Sequence, residues 1–550
     1  MRDTGWVMSC LFLLPLAASP PPVFAGRYES LTEWAAQGPK MEVRAATFFG
    51  SESPESFVDV AQITDGSIVA VGNAYGPAFP NSPKPVVLGK GTHTGAEVFY
   101  ERKGKNRLKD YSPDMGGFLV FYAEDLSSVS RVVRFDWGVA TFTAGCLSRD
   151  GKGLIVSGYC SPDKLAALAG TVRSHTQVDP PPEPGKKKRR LPDKGPGPAY
   201  VMRLSLAGLL GGETDIVDWC WTLQNYSGAP DVLWQDKAGN VCFALNGLTR
   251  IDAGAAKLTK ITDKGTTGGQ NGYRGLDPND GGYFYGGDRN TNTGREPWRQ
   301  PFLHKYNARG EKVWSLWGWD SKGLRDGQGT DDGLVSDSSI RKVTVADNGD
   351  LIVAGWSDGG NSVFTRQPYD VQQSAGKSAG PFTTWGMRSA NSLGYVLRID
   401  PKTFEQKSWS YWVCYVPESF ESPRYRGAPN FASIKDLVTL PGDAIAIRGS
   451  AATGLISTPN AFYLHSSPGK YGGEFVAVMK SDFSGLLFSS YLPGYDSCRI
   501  AATRKGIAIV GTARKDDGRE KPTPTPIVNA LQPQLAGGEF DGHIVVIDMP

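Results

Sequence analysis

Histidine is scarce in this chain: five among 550 residues. They stand singly at positions 93, 175, 304, 465 and 543, with no H-E-x-x-H and no i, i+4 pair. That spacing excludes a helix-borne zinc centre, which needs two imidazoles on one helical face. No C-x-x-C pair occurs among the seven cysteines, which removes zinc ribbons and thioredoxin-like centres. Net charge is almost absent, since 59 Lys and Arg against 56 Asp and Glu leave +3. Neither nucleic acid nor an acidic polymer is implied as a partner. Beyond the N-terminus no uninterrupted apolar run approaches the roughly 20 residues a membrane-spanning helix needs. G-x-S-x-G, sialidase-type Asp boxes and C-x-x-C-H haem sites are missing as well. The sequence therefore names no catalytic residue, no metal ligands and no cofactor.

What it has in quantity is glycine, 68 residues, and tryptophan, 14. Many glycines with many aromatics fit an all-β chain of frequent tight turns, with large side chains filling the space between sheets. The N-terminus carries Arg2, an apolar run from Trp6 to Ala18 interrupted by Pro15, and then Val23-Phe24-Ala25. This pattern predicts a secretory signal peptide over 1–25, a lead over 26–42 and one domain over 43–550, exported to the periplasm, the cell surface or beyond. Cys10 falls in the signal, leaving Cys146, Cys160, Cys220, Cys242, Cys414 and Cys498. Six cysteines allow about 15 pairings. A hairpin turning at 150–153 would set Cys146 opposite Ser157 and Cys160 opposite Thr143, so those two thiols do not face each other.

A short motif recurs: a tight turn, then a period-2 strand ending in glycine. The copies are DGSIVAVGN (65–73), DGKGLIVSGY (150–159), AGNVCFALNG (238–247), DGGYFYGGD (280–288), NGDLIVAGW (348–356), PGDAIAIRGS (441–450) and RKGIAIVGT (504–512). Each follows another strand, such as FVDVAQIT, IRKVTVAD, IKDLVTL or CRIAAT, and most precede a second strand pair such as LGYVLRIDPKTFEQKSWSYWV (393–413). Four antiparallel strands per unit, repeated, predict the blades of a β-propeller. The unit near 230–263 is the shortest. The last unit stops at GHIVVIDMP, and MEVRAATFFG near the start supplies its fourth strand. The expectation is a seven-bladed propeller closed by an N-terminal strand completing the C-terminal blade, which closes the ring and removes two exposed sheet edges.

STPNAFYLHSSPGKYGGEFVAVMKSDFSGLLFSSYLPG (457–494) and TPIVNALQPQLAGGEFDGHIVVID (525–548) resemble the SBBP repeat proteins, bacterial β-propellers. AFPNSPKPV (78–86) carries the Phe-Pro piece of that repeat. The resemblance implies the propeller fold and brings no catalytic constellation.

Antiparallel order puts the tight hairpin turns on one face and the connections between second and third strands on the other. Those connections are long at about 74–115, 161–197, 357–392, 450–471 and 512–542. Loops carry function more often than framework does, so this face and its funnel are the expected binding site. Its loop aromatics include Tyr75, Phe79, Phe99, Tyr100, Trp298, Phe364, Tyr369, Phe382 and Trp385, with Arg295, Arg299 and Arg366 among them. Phe79, Trp298, Tyr369 and Trp385 are the candidate ligand-binding residues, suited to stacking on sugar rings or gripping a peptide. The competing reading is that such aromatics pin loops onto the blades beneath. PPPEPGKKKRRLPDKGPGP (180–198) cannot pack a core and predicts a disordered loop over about 173–197. DGQGTDDGLVSD (326–337) lacks the Gly and Glu an EF-hand requires at its sixth and twelfth positions. The functional expectation is an exported binding or interaction module for a polysaccharide or a surface protein. The alternatives are a polysaccharide lyase or hydrolase working in the funnel, or a purely structural envelope component.

Overall fold

In the computed structural model the described residues are 40–76, 78–80, 83–89, 115–136, 138, 140–160, 162–169, 172–176, 198–224, 229–244, 248–261, 273–291, 297–319, 337–358, 363–376, 378–379, 393–412, 414, 432–452, 454–462, 473–492, 495–514 and 527–550. The expected signal peptide, Trp385, Phe382, Phe99, Tyr100, Arg295 and 177–197 lie outside them.

Seven antiparallel sheets of four principal strands follow one another along the chain. Their first strands are Glu55–Gln62, Thr141–Leu147, Leu233–Gln235, Tyr273–Leu276, Ser338–Val345, Ala432–Thr439 and Tyr495–Ala502, opening blades 1 to 7. Each touches the next and the seventh touches the first, a closed cycle around one axis. That cycle is the seven-bladed propeller. The third blade has strands of only three or four residues, the short unit the sequence shows. Blade 7 is completed by Glu42–Phe49, which pairs with Phe540–Asp548 from Glu42 opposite Asp548 to Phe49 opposite Gly542. Phe49 then packs on Phe57 and Phe118 of blade 1, at 6.0 and 5.3 Å, so the closing strand ties blade 7 to blade 1.

The recurrent glycine has a steric cause. In blades 1, 2, 5 and 6 the first strand bulges at Val58, Thr143, Arg341 and Lys435, and the residue before each bulge faces Gly72, Gly158, Gly355 and Gly449 of the second strand. A Cβ on Gly158 would lie 1.6 Å from the Thr141 carbonyl oxygen, and one on Gly449 1.8 Å from that of Ser433. Blade 7 bulges between Asp496 and Arg499. A bulge bends its strand and redirects the next side chain, and here these point inward. The hairpin closes tighter than expected, with Ser148 N–H donating to the Gly153 carbonyl, so Cys146 stands opposite Ile155 rather than Ser157. All six described cysteines are free thiols.

The long connections do more than cover one face. Val86–Leu88 runs out to the rim of blade 1 and pairs in parallel with Val133–Phe135. Val172–Thr176, which the sequence assigns to a disordered loop, does the same in blade 2 against Cys220–Gln224. Thr458 N–H donates to the Ser489 carbonyl at the rim of blade 6 (3.0 Å), Ala379 N–H to that of Trp409 in blade 5 (2.7 Å), and Ala46 bridges Val528 in blade 7. Five blades thus have their outer strand met by their own loop, satisfying edge groups that would otherwise recruit another chain. No helix among the described residues is long and apolar enough to cross a membrane.

Candidate functional site

The re-aimed side chains meet around the axis. Asp59, Lys342, Asp436 and Arg499 each follow a first-strand bulge. Asp436 is buried, and Lys342 from the neighbouring blade binds its carboxylate at 2.9 Å. Arg448 lies behind, 3.9 Å from Asp436 and 3.5 Å from Glu474, and Glu474 also pairs with Lys435. Asp59 accepts from Gly145 N–H of blade 2 and Val60 N–H, both at 3.0 Å. Arg499 reaches the Asp231 carbonyl of blade 3 at 3.5 Å.

Four blades therefore contribute charged side chains to one belt, and blades 2 and 3 add backbone groups to it. Burial raises the Asp59 carboxyl above its ordinary range against the pull of Arg499. Burial acts the same way on Asp436, but Lys342 and Arg448 together hold that carboxyl below its ordinary range. The two carboxyls thus shift in opposite directions, Asp59 upward by burial and Asp436 downward by its cations.

Above the belt, where blades 4 and 5 meet the long-loop face, lies a second polar cluster. Trp298 is 51% exposed. Arg299 beside it donates its backbone N–H to Asp337 (2.9 Å) and sets its guanidinium 3.9 Å from the same carboxylate. Asp358 N–H donates to the Asp337 carbonyl at 2.8 Å. Burial, then the Asp337 charge, raises the Asp358 carboxyl. Deeper, burial raises Asp288 while Ser339 and Arg299 oppose it. Arg341, lowered by burial, stacks on Trp356 with 5.5 Å to the ring centroid. An exposed indole next in sequence to an Arg–Asp pair can stack on a ligand face whose edge those polar groups bond.

The other expected aromatics separate. Tyr369 is 47% exposed, on the hairpin whose Pro368 carbonyl receives Trp317 N–H. It sits in the same two-blade sector as Trp298 but toward the rim. Phe79 packs edge-on against Phe49 and Phe118, at 6.0 and 5.3 Å, with the Arg134 guanidinium 5.6 Å above its ring. Phe364 is fully buried against Trp317 and Tyr395. Both Phe79 and Phe364 pin loops to blades.

The opposite face also has hollows. One of about 560 Å³ lies between blades 1 and 2 around Thr64, Lys152 and Arg203, with Arg203 held by Asp150 and Asp218 at 2.8 and 2.7 Å. Another of about 520 Å³ opens at the axis around Gln62, Asp347 and Arg504. No group of three or more His, Cys, Asp or Glu side chains converges to hold a metal among the described residues.

The sequence reading missed the belt, although its signal was present. FVDVAQIT, IRKVTVAD, IKDLVTL and CRIAAT each place a charge inside an otherwise apolar strand at a similar distance before the turn.

No protein-family model matches the chain, and no curated protein matches it. Among solved structures it is similar to a structural-genomics protein of unknown function from Bacteroides thetaiotaomicron VPI-5482, at 10% identity and a TM-score of 0.31, over 74% of this chain and 70% of that one.

Proposed function

We propose that this chain is an exported propeller of the SBBP-repeat kind, acting as a binding module for a polysaccharide or a surface protein at its long-loop face. The observation that carries the reading is Trp298, half-exposed beside the Arg299–Asp337 pair. An indole left in water next to fixed polar groups is the composition of a stacking subsite, and buried aromatic anchors dominate binding energy when a ligand covers them. The test is binding of residues 26–550 to a panel of polysaccharides and to an envelope fraction. Trp298→Ala should weaken binding tenfold or more while leaving the melting temperature unchanged. Equal binding by both proteins would reject the assignment of this site.

The axial belt, with Asp59 and the Lys342–Asp436 pair brought together by the bulges, supports one second reading, a lyase or hydrolase acting on the same class of ligand. Asp59 would hold a proton for a leaving group and Asp436 would stay ionised. Shortened polysaccharide chains after incubation with the protein, and none with Asp59→Asn, would replace the first reading with this one.

A further inference from the structure

Blade 4 departs from its neighbours at the rim. Its second-to-third connection spans only 291–298, between Tyr283–Asn290 and Arg299–Tyr306, too short to travel to the outer strand and back. That outer strand, Lys312–Leu316, shows Lys312, Val313 and Ser315 to solvent, with Val313 58% exposed. The outer strands of blades 6 and 7 are buried along all or most of their length. In blade 3, the other blade with a short connection, no outer-strand residue is exposed. Among the described residues, blade 4's outer strand is met at its upper end alone, where Trp317 N–H donates to the Pro368 carbonyl of the blade 5 hairpin.

We infer that the outer edge of blade 4 is a docking site for an extended segment of a partner protein, added as a fifth strand parallel to Lys312–Leu316. The molecule itself shows what fills this position: extended segments fill it in parallel at Val86–Leu88 of blade 1 and Val172–Thr176 of blade 2. Strand addition recognises the main chain first and alternate side chains second. The inward-facing Leu88 is buried while its neighbour Val87 is 41% exposed, so the segment sought has an apolar residue flanked by tolerant positions. Val313 lies at a register shift between Tyr306–Lys312 and Lys305–Trp314, an irregularity that re-aims the edge. This inference is independent of the Trp298 site, which lies on another surface.

The probe is a synthetic peptide of residues 83–89, PKPVVLG, added at millimolar concentration to the mature protein, with backbone amide exchange as the readout. Slowing of exchange by tenfold or more across 312–316 is expected. Val313→Pro, which removes a backbone donor and fixes φ at the register-shifted position of this strand, should abolish it. Val313→Lys keeps the backbone intact and adds the kind of charge that guards natural edges, so it should weaken the effect without altering the fold. Unchanged exchange at 312–316 with peptide present, or slowing confined to other blades, overturns the inference. Protection of 312–316 that rises with protein concentration alone would assign the edge to self-association and overturn the partner reading.

Discussion

At the scale of single residues, the ring-closing seam holds an unusual pair of acids. Glu55 is completely buried and takes Ser51 N–H and Oγ–H at 2.9 and 2.5 Å. Burial nonetheless pushes its carboxyl from 4.5 up to about 8. Asp541, also buried, is pushed up to about 6 by burial. Because the unfolded carboxyls ionise at lower pH than the folded ones, the fold is favoured in acid. That advantage is whole below about 4 and is lost as pH rises through about 6 and then 8. The melting temperature should therefore fall across that window, and Glu55→Gln should flatten the upper part of the fall. A profile unchanged by the substitution would remove Glu55 as the cause. Among the aromatics, Phe364→Ala should cost roughly 3–5 kcal/mol of stability, read from denaturant unfolding, as a large core truncation does. The sequence distinguishes Phe364 from Trp298 by nothing local, since both sit among Arg, Pro and Gly. Whether a loop aromatic faces a blade or the solvent is set by where the loop runs, and that is a tertiary fact.

At the scale of elements, strands were readable because a two-sided blade makes them alternate, and their hairpins because Gly at positions such as Gly66 and Gly349 adopts the positive φ of the turn. The terminal glycine of the second strand was readable as a pattern, while its reason, contact with the bulged neighbour, was not. Gly449→Ala should destabilise by about 2–3 kcal/mol through the clash with the Ser433 carbonyl. Gly254→Ala, whose Cβ would meet nothing within 4 Å, should be near neutral. Equal effects of the two in thermal melts would refute the steric account. The edge-capping strands escaped the sequence reading because three to five residues leave no periodicity to detect. The Thr458-Pro459 and Phe79-Pro80 dipeptides gain a physical meaning here: Thr458 bonds Ser489, Phe462 packs on Phe488 at 5.9 Å, and Phe79 packs on Phe118. They fasten the loops of blades 6 and 1 to those blades.

At the scale of the whole molecule, blade count and closure were legible because seven glycine-ended copies and one orphan strand at each end leave few other arrangements. The axial belt was not, because it forms only when blades far apart in sequence converge. Removing residues through Phe49 deprives blade 7 of its fourth strand and blade 1 of the Phe49 contacts. The truncated protein should unfold at a lower temperature than residues 26–550, and a peptide of residues 40–50 supplied in trans should recover part of the difference. A truncation that melts with residues 26–550 would show the closing strand to be dispensable.

Glu42 and Asp548 face each other across the closing pair, so the first and last of the described strands meet side by side. A short linker could join them, and the chain could then be opened between any two other blades. Such a rewired gene would encode the same ring with a different starting point, and it would place a fusion partner at any chosen sector of the circumference.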